Sequence, residues 1–155
     1  VRRFMLIGLI VSTALVAGPV TARASDDSLR QVVKDQAARQ IKQDKKFRAA
    51  VKNINSREKA KKARTATIRQ QNSVETFRKA VRAEQADTDQ VKAGRTELLE
   101  GLAMYNHGLD KFRTALTQAI KTNGRGGAAS ARAALKTIDK ALEKVSSAAK
   151  KIGVS

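Results

Sequence analysis

The chain contains no cysteine and no tryptophan, one proline (Pro19), one histidine (His107), and only 3% aromatic residues. Without Cys there is no disulfide framework, thiol nucleophile, Cys-ligated zinc site or lipid-modified cysteine. A single His argues against a His-rich metal site and against an ordinary Ser-His-Asp arrangement. With so few aromatics, a core must be assembled from Ala, Val, Leu and Ile. Acid is also scarce: 14 Asp and Glu face 32 Lys and Arg, a net charge of +18 over 155 residues. That length allows one domain, preceded at most by an export segment.

Residues 1–24 read as a cleaved signal peptide. Arg2 and Arg3 form a positive start, Phe4 to Val20 is an uncharged run, and Ala22-Arg23-Ala24 has the A-x-A form of a cleavage site. Val1 reads as an alternative bacterial start. Arg2-Arg3-Phe4-Met5-Leu6 also fits a twin-arginine pattern, but the short n-region favours the general secretory route. A retained membrane anchor is the alternative, and the run's 17 residues are short for it. The expected location is outside the cytoplasm: secreted, periplasmic or on the cell envelope. Removing Arg2, Arg3 and Arg23 leaves 29 basic residues against 14 acidic, a net charge of +15.

Beyond Ala24 the sequence lacks proline and is rich in Ala, Lys, Arg, Gln and Glu, all good helix formers. Apolar residues recur at three- and four-residue spacing, which puts a stripe on one helix face. One stripe runs Ala128, Ala131, Leu135, Ile138, Leu142, Val145, Ala149, Ile152, and another Val91, Leu98, Leu102, Tyr105, Leu109, Phe112, Leu116, Ala119. Earlier segments carry Leu29, Val33, Ala37, Ile41, Phe47, Val51, Ile54, and then Ala60, Ala63, Thr67, Val74, Phe77, Val81. Asn53-Ile54-Asn55-Ser56 supplies turn formers, and Asn55 with Glu58 has capping-box spacing. Glu84, Thr88 and Arg95 interrupt the apolar phase, Asp87-Thr88-Asp89 offers helix caps, and Gly94 weakens the helix beyond. The spacing therefore predicts an all-α, antiparallel up-down helical bundle, with helices near 26–54, 57–86, 88–122 and 127–152 in one domain, residues 25–155. A long-helix coiled-coil hairpin, unbroken through residues 60–120, is the alternative. In the bundle, Phe47 and Phe112 lie at similar heights near one end.

No motif speaks for an enzyme. His107 has no partner ligand at metal-binding spacing, and no Glu-x-x-His pair is present. Glu97 and Glu100 read as a charged solvent face, Asp87 and Asp89 as caps. The glycine-rich stretch Gly124-Arg125-Gly126-Gly127 follows a helix and lacks the Gly-Lys-Ser/Thr ending of a phosphate loop. The expectation is a non-enzymatic protein without cofactor or metal.

Charge is the informative feature. From Lys42 to Arg64 ten basic residues face Asp44 and Glu58, a net +8; from Glu84 to Glu100 five acids face Lys92 and Arg95, a net −3. An up-down bundle brings the hairpin near 55 and the loop at 122–127 to one end. Lys52, Arg57, Lys59, Lys61, Lys62, Arg64, Lys121 and Arg125 then form a cationic end that attracts polyanions. Expected partners are envelope phosphate polymers, anionic lipid or extracellular nucleic acid. Phe47, Phe77 and Phe112 fall on the apolar stripes, which argues against base stacking. The alternative function is a holdase-type chaperone or structural interaction module working through its helix seams. In size and composition the chain resembles small periplasmic helical chaperones, but Leu116-Thr117-Gln118 lacks the Leu-Thr-x-x-Gln spacing of one such family.

Overall fold

The computed structural model describes residues 24–123 and 126–154. The segment read as a signal peptide lies outside them, apart from Ala24, and so does Arg125. The described chain forms four helices: α1 Ala24–Val51, α2 Arg57–Ala83, α3 Asp89–Lys121 and α4 Ala128–Ile152. Each packs antiparallel on the next, α3 against α4 most intimately, while α1 and α4 barely touch. The fold is an up-down helical bundle, and the single long helix of the alternative reading is interrupted between Glu84 and Thr88. The Phe47 and Phe112 rings meet edge to face with centroids 6.0 Å apart, placing them at one height as expected.

Local chemistry sets the helix ends. α1 stops at Val51, short of the expected 54, and the chain leaves through Asn53 at φ 59°. Asn tolerates this left-handed conformation better than other non-glycine residues. The cap of α2 is Ser56, whose Oγ accepts from the Lys59 N–H at 3.2 Å, one residue beyond the expected Asn55. α2 ends at Ala83 because Arg95 reaches back from α3, donating to the carbonyls of Val81 (3.2 Å) and Arg82 (3.0 Å). Those carbonyls have no partner within their own helix. Arg95 therefore caps α2, where spacing alone made it a flaw in the stripe.

Close approach of α3 and α4 rests on Gly94, Gly101 and Gly108, all buried at seven-residue spacing. They face Ile152, Val145 and Ile138 of α4, with the carbonyls of Ala141 and Ala134 also beside Gly101 and Gly108. Gly94 is thus a packing residue rather than a helix weakener. α3 accordingly buries two faces. Its larger side chains, Tyr105 and Phe112 among them, point to α1 and α2, and its glycines accept α4.

This packing turns α4 relative to the stripe read from sequence. Ala134, Ile138, Ala141, Ala148 and Ile152 are buried, whereas Leu135, Leu142 and Val145 are only half-buried. Seating Ile138, Val145 and Ile152 against the glycines carries Ala134, Ala141 and Ala148 inward with them and leaves Leu135 and Leu142 toward the rim. Ile138→Ala is expected to destabilise the protein by about 2–5 kcal/mol as a core truncation. Leu135→Ala and Leu142→Ala should cost about half as much, since part of each side chain stays in water. Urea denaturation of the three variants checks the order; equal losses would restore the leucine-centred face.

α1 departs further from expectation. Leu29, Val33 and Phe47 are buried, but Ala37 is only half-buried and Ile41 is 41% exposed. Between Val33 and Phe47 the inward positions belong instead to Gln36, Gln40 and Asp44.

Candidate polyanion-binding end

The α1–α2 hairpin and the α3–α4 turn lie at the same end of the bundle. Besides the Phe47–Phe112 contact, Arg64 Nε donates to Thr117 Oγ1 at 3.2 Å, tying the first turns of α2 to the last turns of α3. Lys52, Arg57, Lys59, Lys61, Lys62, Arg64 and Lys121 are all exposed there. Arg125 belongs to the same turn by sequence and lies outside the described residues.

Acid near these cations is sparse. Glu58 pairs with Lys61 at 2.8 Å, and both side chains are more than half exposed. The Lys61 hydrogen bond holds the Glu58 carboxyl below the usual carboxylate range, with Arg57 and Lys62 adding to the effect. Asp44 is drawn away by Arg48, whose Nε lies 2.5 Å from its Oδ2. That leaves Lys52, Arg57, Lys59, Lys62 and Lys121 outside ion-pair distance of any carboxylate among the described residues. Long side chains on a solvated end can reorient toward a bound anion at little cost in packing.

The opposite end uses its acids internally. Asp26, 1% exposed, accepts from the Asp87 N–H (2.7 Å), the Thr88 N–H (3.5 Å) and Thr88 Oγ1 (2.7 Å). Burial opposes ionisation of Asp26, but these hydrogen bonds and the Arg30 charge together hold its pKa below the ordinary value. Ser25 also bonds Asp87, Ser28 bonds Glu84 at 2.6 Å, and Arg30 Nε donates to the Ile152 carbonyl at 2.8 Å. Glu97 and Glu100, read as a solvent face, instead pair across helices with Lys151 (2.6 Å) and Lys144 (2.5 Å). Asp26, Glu84, Asp87, Glu97 and Glu100 are thus engaged in capping or cross-helix contacts, whereas five cations of the basic end have no carboxylate within ion-pair distance among the described residues.

A polar layer crosses the bundle between the two ends. Gln70 Nε2 donates to the Tyr105 hydroxyl at 2.7 Å, which donates to Asp44 Oδ1 at 3.1 Å. Burial pushes the Tyr105 hydroxyl well above its ordinary pKa, and the Asp44 charge adds to the shift, so it remains a donor. Spacing placed Tyr105 on the apolar stripe without revealing these partners. His107 is exposed, and among the described residues no group of His, Asp and Glu is placed to hold a metal. No helix among the described residues is long and apolar enough to cross a membrane.

Comparison with protein-family models, with curated proteins and with solved structures returns no match to this chain.

Proposed function

We propose that this is an exported, non-enzymatic protein that binds anionic polymers or surfaces through its basic end. The observation that carries the reading is the gathering of seven exposed cations from the α1–α2 hairpin and the α3–α4 turn, of which Lys61 alone is paired with a carboxylate, Glu58, among the described residues. Such an end attracts phosphate-bearing chains by long-range steering and by release of their condensed counterions. Phe47, Phe77, Tyr105 and Phe112 are buried, so recognition runs through charge rather than base stacking. Envelope phosphate polymers, anionic lipid and extracellular nucleic acid share that chemistry.

Neutralising Lys59, Lys61, Lys62 and Arg64 together to Gln tests the reading. Binding to heparin, duplex DNA and anionic vesicles should weaken by a similar factor for each, because contacts to the charged backbone carry no sequence information. The control replaces Lys79, Lys136, Lys140 and Lys150, exposed lysines away from that end, and should change binding much less. Equal effects of the two sets would reduce the basic end to diffuse surface charge.

A second reading, a holdase-type chaperone for unfolded chains, draws on the exposed Ile41 of α1 and the half-buried Leu135 and Leu142 of α4. Suppression of client aggregation that persists at high salt would favour it over polyanion binding.

A further inference from the structure

α1 differs from the other three helices in how it is held. Apolar anchors sit only toward its ends: Leu29 and Val33 near the Asp26 cap, Phe47 near the 52–56 turn. Across the fourteen-residue step between Val33 and Phe47 its ties are polar. Ser73 Oγ donates to Gln40 Oε1 at 2.7 Å, and Tyr105 donates to Asp44. Gln40 Nε2 and Gln70 Oε1, both buried, have no protein partner. A half-satisfied polar layer stabilises less than an apolar one of the same size. On its other side α1 has few contacts with α4: Arg30 donates to the Ile152 carbonyl, and the Arg48 charge acts on Asp139 of α4.

Both arms of the hinge are cationic. Lys42, Lys45, Lys46 and Lys52 precede the turn, and Arg57, Lys59, Lys61, Lys62 and Arg64 follow it. Closing α1 onto α2 brings these like charges together, and self-repulsion of this kind works against the compact state. At about 10 mM salt charges act over about 30 Å, but at 0.15 M over only about 8 Å, so the repulsion is set by ionic strength.

We propose that α1 is an electrostatically sprung strap: it opens as a unit on the 52–56 hinge while α2, α3 and α4 stay packed, and a polyanion bound across the basic hairpin holds it shut. Opening breaks the Asp26 contacts to residues 87 and 88 at one end and uncovers Tyr105, Gln70 and Phe112. A ligand that neutralises both arms favours the closed state by mass action, as any ligand of one conformer does. The coupling half of this proposal rests on the polyanion reading, whereas the strap itself does not.

Hydrogen exchange resolved by segment, on the full chain at about 10 mM and about 150 mM salt, tests it. At low salt, amides of α1 should exchange at least about tenfold faster than those of α3 and α4, the signature of sub-global opening. Raising salt, or adding inorganic polyphosphate at low salt, should slow α1 severalfold and leave α3 unchanged. Asp26→Ala should speed exchange in α1 alone. Replacing Lys42, Lys45 and Lys46 by Gln should slow it without any ligand. If α1 exchanges together with α3 and α4, or ignores both salt and the lysine substitutions, the strap is refuted. If the strap behaves as described but calorimetry detects no polyphosphate binding at low salt, the polyanion reading and the coupling fall, and the hinge stands.

Discussion

Valine at both Gly101 and Gly108 is expected to remove a large share of the stability of the bundle. A Cβ at Gly108 would lie 2.7 Å from Ile138 Cγ1 and 3.2 Å from the Ile138 backbone nitrogen. At Gly101 it would lie 2.9 Å from Val145 Cγ2 and 3.1 Å from the Val145 nitrogen. A rotamer change could clear the side-chain atoms, but the backbone nitrogens retreat only if α4 as a whole moves outward. Overpacking of this kind costs about 1–3 kcal/mol per site. Better helix propensity returns only a few tenths of a kcal/mol on going from Gly to Val. The pair should therefore lose about 2–6 kcal/mol, a large share of the roughly 5–15 kcal/mol that holds a domain of this size together. Urea denaturation measures it, and an unchanged midpoint would mean that α3 and α4 do not approach this closely. The single alanine substitutions should have the same sign and a smaller size, because Ala recovers about 1 kcal/mol of propensity.

Affinity for heparin or duplex DNA is expected to fall about a thousandfold between 50 and 200 mM salt if about six phosphates are neutralised. The seven described cations of the basic end allow that number without drawing on the rest of the surface. The Lys59, Lys61, Lys62 and Arg64 neutralised chain should show a slope shallower by up to about four charges. Filter binding or fluorescence anisotropy across the salt series gives both quantities. A flat salt dependence would rule out counterion release and with it the electrostatic reading of this end.

The basic end was partly legible in the sequence because an up-down topology fixes which turns share an end, whatever the details of packing. Charge runs could therefore be placed before any contact was known, and the Phe47–Phe112 pair shows that the placement by height was sound. What could not be read was which charges are already engaged. Arg48 counts equally with Lys46 in a charge sum, yet it lies 2.5 Å from Asp44, while Arg64 is tied to Thr117. Asp26 and Arg95 looked like an ordinary first-turn acid and a break in a stripe. Both are links between distant segments, 61 and 14 residues apart, and local spacing holds no signal for such partners.

The all-helical character and the turns near 55 and 122–127 thus follow from the sequence alone, through a 3.6-residue period and turn-forming residues, whereas the break between α2 and α3, open against one long helix, was decided by the structure. Tertiary structure decided how each helix is rotated about its own axis. Seven-residue glycines on α3 look like weak points to a propensity scale, but opposite Ile138, Val145 and Ile152 they allow a backbone approach that a side chain on α3 would block. Once α4 is drawn onto that face, Leu135 and Leu142 turn partly to solvent and contact with α1 is nearly lost. The middle of α1 is then left to Gln40 and Asp44. Rotation depends on which of several apolar faces finds the better-fitting partner, and that comparison exists only when the helices are together.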